Sequence, residues 1–137
     1  MKTYNKSWKY KIEDKISTDW TPFSNPMSLK IEEDKNSTIF INACLEFSNR
    51  HKREIDKKQQ GSLYYKILVN GQELIEYHVV DPSNERKSSD VSLHAVSEIP
   101  AGENTIEVYY KVSKNSSWEL LGNQSKRHLS VLSFPQS

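Results

Sequence analysis

Apolar residues recur at every second position along most of the chain, the rhythm of strands with one buried and one wet face. From Thr38 to Ser48, Ile39, Ile41, Ala43, Leu45 and Phe47 fall on one face, and Thr38, Asn42, Glu46 and Ser48 on the other. Phe40 and Cys44 interrupt the polar side, so that side is expected to be partly covered. Leu63, Tyr65, Ile67 and Val69 alternate up to Asn70-Gly71, and Glu73, Ile75, Tyr77 and Val79 resume the rhythm. Asn-Gly between two such runs predicts a tight hairpin, because both central positions of a type I′ turn need positive φ. Val91, Leu93, Ala95, Ser97 and Ile99 predict another strand, ended by Pro100-Ala101-Gly102, with Ile106, Val108, Tyr110 and Val112 as its expected hairpin partner. A last strand runs over 127–134 and stops at Pro135. Two shorter strands are expected where Trp8, Tyr10 and Ile12, and then Met27, Leu29 and Ile31, alternate.

Between these runs lie stretches with little to bury: Arg50 to Gln60, Asp81 to Ser89 and Ser113 to Gln124. The first is the best helical candidate, yet its single apolar residue, Ile55, makes no stripe to dock, so it reads as a connection. Seven to eight or more strands without crossover helices predict an all-β fold, an antiparallel two-sheet sandwich of jelly-roll type. No linker divides the chain, and residues 1–137 are expected to form one domain.

Composition agrees with a thin core: 35% of residues are hydrophobic, 27% are charged and the mean hydropathy is −0.77. Nineteen basic residues against eighteen acidic ones leave a charge of +1, so no overall field points to nucleic acid or to an anionic membrane. The polar start and the short apolar runs predict neither a signal peptide nor a membrane span, which makes a cytoplasmic or assembly-bound chain the default. Cys44, the single cysteine, excludes an intramolecular disulfide.

The run from Ser92 to Val96, then Ile99-Pro100-Ala101-Gly102-Glu103-Asn104-Thr105-Ile106-Glu107-Val108-Tyr109-Tyr110, then Arg127 to Leu132, resembles the C-terminal half of C1q-like and tumour-necrosis-factor-like jelly-roll modules of bacterial and phage proteins. Ser37 to Phe47 and Leu63 to Gly71 resemble the earlier strands of such modules. The resemblance implies a homotrimer packed about a threefold axis through apolar and aromatic residues, with receptors or glycans bound by grooves and loops. Phe40, Tyr109 and Tyr110 are the residues it nominates for the interface between protomers. The collagen-like or coiled stalk that precedes many such modules is not expected from these residues, which departs from the common arrangement.

No catalytic or metal motif stands out. The four histidines, His51, His78, His94 and His128, lack zinc-ligand spacing; three lie on expected strands, where they are more simply packed or solvated than ligating. No Gly-x-Ser-x-Gly elbow occurs, and Cys44 is expected to act as a small hydrophobe within its strand. No cofactor is therefore expected, and the chain is read as non-enzymatic. Trp20, Trp118 and Tyr77 are the aromatic residues that stand out, and the candidate ligand contacts are Trp118, in a polar stretch where an indole can stack on a sugar or anchor a protein, Tyr77, and the basic run of Arg50, His51 and Arg53. The bland alternatives are a tryptophan folded back over the sandwich and a solvated connection balanced by Glu54 and Asp56. The leading expectation is a recognition and assembly module, a trimer of jelly rolls that binds a protein or glycan. The alternatives are a purely structural subunit of a phage or other assembly and, less readily, a hydrolase on a sandwich scaffold.

Overall fold

The computed structural model describes residues 1–9, 19–23, 25–49, 62–80, 87–112, 118–119 and 126–136. Among them are ten strands and no helix: β1 (Lys2–Lys9), β2 (Thr21–Pro22), β3 (Ser28–Glu33), β4 (Ser37–Asn49), β5 (Ser62–Val69), β6 (Gln72–Val80), β7 (Lys87–Ile99), β8 (Gly102–Val112), β9 (Trp118–Glu119) and β10 (Lys126–Pro135). The first sheet runs β1-β10-β4-β7 with β9 also on β4, and the second runs β2-β8-β5-β6 with β3 also on β8.

The pairing is nested. Strand β1 pairs antiparallel with β10, β3 with β8, β4 with β7 and β5 with β6, so the first half of the chain runs back along the second. Successive pairs alternate between the two sheets. A long double ribbon coiled over itself in this way is a jelly roll, and the all-β sandwich expected from the alternation is the fold observed.

At the innermost turn of the ribbon, Asn70 and Gly71 have φ of 52° and 79°, the left-handed pair that a two-residue hairpin requires. Leu68 pairs with Glu73 and Ile67 with Ile75, which leaves Leu74 as the extra residue of a bulge beside the turn. The Pro100-Ala101-Gly102 turn departs from expectation. Strand β7 pairs with β4 and β8 with β5, so this turn carries the chain from one sheet to the other and does not close a hairpin. Alternation along a strand reports which residues face the core but not which sheet the strand joins. Gly102 (φ 104°) makes the corner, and Asn104 holds it by donating to the carbonyls of Pro100 (3.0 Å) and Gly102 (3.1 Å).

The core forms where the two inner faces meet. Ile39, Ile41, Ala43 and Leu45 of β4 with Leu129 and Val131 of β10 oppose Leu63, Tyr65 and Ile67 of β5 with Ile106 and Val108 of β8. Phe23, from the proline-flanked segment between β2 and β3, fills one end and stacks on Tyr110 at 4.7 Å. The fully buried Arg127 places its guanidinium 4.3 Å from the Phe23 ring centre and donates to the Asn25 carbonyl at 2.8 Å. A planar, weakly hydrated guanidinium suits such a stacked interior place better than an ammonium would.

One further expectation changes and one holds. Strand β7 starts at Lys87, with Lys87, Ser88 and Ser89 paired to Asn49, Ser48 and Phe47, so the connection expected over 81–89 is shorter. Cys44 is half-buried on the outward side of β4, as expected of a residue that shares the parity of Phe40 and Asn42.

Candidate functional site

Register across the first sheet arranges its outward side chains in rows. Thr3, Leu132, Phe40 and Val96 are direct neighbours across four strands; Asn5, Ser130, Asn42 and His94 form the next row, and Ser7, His128, Cys44 and Ser92 the one after. The first row is apolar and open to solvent: Phe40 is 46% exposed, Val96 54% and Leu132 38%, with Phe134 on the adjoining row at 39%. Phe40 and Phe134 meet edge to face, with centroids 5.5 Å apart at 86°. Four large apolar groups thus lie together on one sheet face, whereas apolar surface residues are ordinarily scattered.

A groove of about 660 Å³ crosses the apolar row and the polar row beside it, with Leu74 and Ile75 of β6 also in its lining. Leu74 is the bulge residue, so the irregularity beside the Asn-Gly turn is what places an apolar side chain there. One strip can exclude water from a partner, while amides, a hydroxyl and an imidazole beside it can direct that partner's polar groups.

The third row juxtaposes a thiol and an imidazole, since Cys44 faces His128 in register. Their hydrogen bonds go to other partners. His128 Nδ1 shares a hydrogen bond with Ser7 Oγ at 2.6 Å, while Cys44 Sγ lies 3.4 Å from Ser92 Oγ and 3.8 Å from Asn42 Oδ1. This arrangement does not link nucleophile to base as a thiol hydrolase requires. Among the described residues no group of three or more His, Cys, Asp and Glu could hold a metal ion. His94 and His128 lie on strands of the first sheet and His78 on a strand of the second.

No family model and no curated protein matches this chain. Among solved structures it is similar to the CBM36-1 domain of a multidomain xylanase from the hindgut metagenome of Trinervitermes trinervoides. That likeness has 9% sequence identity and a TM-score of 0.44, covering 94% of this chain and 97% of that one. The strand order and pairing alone carry the jelly-roll assignment.

Of the residues nominated from sequence, Phe40 is at the centre of the exposed strip. Tyr110 is a core residue, 3% exposed against Phe23, so of the tyrosine pair only Tyr109 faces outward, from the second sheet. Tyr77, 42% exposed on β6, packs against the buried Tyr65 with centroids 5.3 Å apart. The Trp118 backbone pairs with Asn49, tying β9 to the end of β4. Arg50, His51 and Arg53 lie outside the described residues. Val96, Leu132 and Phe134 were not nominated. Each sits at an outward position of an alternating run, and three such positions become a surface only once the register between strands is known.

Proposed function

We infer that this chain is a non-enzymatic recognition and assembly module whose copies pack through the outer face of the first sheet. The observation that carries this reading is the contiguous strip of Phe40, Val96, Leu132 and Phe134, each between 38% and 54% exposed. Covering the open half of each such side chain is worth roughly 1 kcal/mol, and a symmetric assembly repeats that gain at every copy. The C1q-like resemblance supplies three as the expected number of protomers. The polar row of Asn5, Asn42, His94 and Ser130 then borders the seam, where a protein or glycan ligand would find both protomers.

Phe40→Asp tests the placement. The side chain already meets water, so the fold is expected to survive with an unchanged far-ultraviolet spectrum, while a carboxylate in the seam disperses the assembly to single chains. A Phe40→Asp protein that assembles as the parent does places the interface elsewhere, and a parent chain that stays monomeric removes the reading altogether.

A further inference from the structure

The outer face of the second sheet carries a cluster of different chemistry. On β5, Tyr64 and Lys66 point outward, and on the adjacent β8, Tyr109 and Lys111 do the same; Tyr64 pairs with Lys111 and Lys66 with Tyr109, so rings and ammonium groups alternate like a checkerboard. Trp20, just ahead of β2, completes it. Lys66 Nζ is 4.4 Å and Lys111 Nζ 4.8 Å from the Trp20 ring centre, and Lys111 Nζ is also 5.0 Å from that of Tyr64. All five residues are half-buried.

Two ammonium groups drawn to one indole lie within roughly 9 Å of each other, inside a Debye length of ~10 Å at 0.1 M salt, so their repulsion is only partly screened. Lys66 has Glu76 directly across on β6, yet its ammonium is turned to the indole, and among the described residues neither lysine makes an ion pair. Cation–π attraction holds both charges in place without neutralising them. A bound anion between them would relieve the repulsion, and the surrounding rings offer faces to the C–H groups of a sugar.

We propose that this cluster binds an acidic glycan, with a carboxylate or sulfate between Lys66 and Lys111 and its sugar ring against Trp20 and the tyrosines. A nucleic acid fits less well. Glu76 and Glu107 stand on the same face and confine the positive spot, whereas a phosphate backbone needs a basic stripe and the chain carries only +1 overall. The site lies on the sheet opposite the proposed assembly face, so it does not depend on that reading.

The test titrates the full chain with trigalacturonate and with a heparin-derived tetrasaccharide, following tryptophan fluorescence and heat, with methyl-esterified trigalacturonate and a dT oligonucleotide in parallel. At least one acidic saccharide is expected to bind, the neutral ester not to bind, and affinity to fall as salt rises. The Lys66→Gln/Lys111→Gln double variant, which removes both charges and their cation–π contacts, is expected to keep the far-ultraviolet spectrum of the parent and to bind at least about tenfold more weakly, and Trp20→Ala to lose the fluorescence response. No binding by either acidic saccharide, undiminished binding by the double variant, or tighter binding of the dT oligonucleotide overturns the proposal.

Discussion

Replacing Asn104 by alanine removes the clasp at the corner where the chain changes sheets. Its side chain is 1% exposed and makes three hydrogen bonds: Nδ2 donates to the Pro100 and Gly102 carbonyls at 3.0 and 3.1 Å, and Oδ1 accepts from Asn70 Nδ2 at 2.8 Å. Asn70 in turn accepts from the Thr105 amide at 2.9 Å, so one pair of amides ties the β5–β6 turn to the start of β8. Each bond contributes about 1 kcal/mol net, and water can reach Pro100 and Asn70 after truncation, so the expected loss is about 2–3 kcal/mol. At ~2.1 cal/mol/K of unfolding entropy per residue over 137 residues, that lowers Tm by roughly 7–10 °C. Thermal and urea unfolding followed by circular dichroism measure it, with an unchanged urea slope. The isosteric Asn104→Asp variant separates bonding from packing. It keeps the shape but turns a carboxylate oxygen toward two carbonyls, and is expected to lose at least as much stability at pH 7. If Asn104→Asp matches the parent, or if Asn104→Ala costs under about 2 °C, the reasoning fails.

Burial raises the Tyr65 phenol well above its ordinary value of 10.0, with the neighbouring Tyr77 and Cys44 charges adding to the shift. The folded chain therefore keeps that proton at a pH where the unfolded chain releases it. Stability present below pH 10 is expected to decline above it by up to ~1.4 kcal/mol per pH unit, and Tyr65→Phe to flatten that decline in urea titrations; an equal slope in the variant contradicts the assignment. Gly71→Ala meets no atom within 4 Å but must hold φ near 79°, so a loss of about 1–2 kcal/mol is expected from backbone strain alone; an unchanged urea midpoint would contradict it. Cys44, on the face assigned to assembly, is expected to react more slowly with maleimide in the parent than in Phe40→Asp; equal rates would separate the thiol from the seam.

Strands buried on one side announce themselves, and β4 shows why: five apolar residues at every second position leave a single solution for its inner face. Asn70-Gly71 was equally legible, because few residues tolerate two successive positive φ angles. The opening of β1 was not. Lys2 to Ser7 is an edge segment with Tyr4 its one half-buried member, and Tyr4 is held by a bond to the Glu32 carbonyl that periodicity cannot reveal. Phe23 lacked any rhythm between its prolines yet lies in the core, since its place is set by Tyr110 and Arg127 from distant strands. The candidate assembly face was half legible. Phe40 stood out as an apolar residue on a polar side, but its neighbours Val96 and Leu132 come from strands 56 and 92 residues away, and only register brings them together. Trp20 stood out as an aromatic residue, but the cluster around it had no linear signature, because its lysines come from β5 and β8, which become neighbours only in the folded second sheet.

The most direct test of the assembly reading is the solution mass of the unmodified chain, by light scattering across a concentration series. A species of three times the 15.9 kDa chain mass that persists on dilution to micromolar concentration is expected. A mass of 15.9 kDa at every concentration would contradict it, leaving the strip of Phe40, Val96, Leu132 and Phe134 without a partner of its own kind.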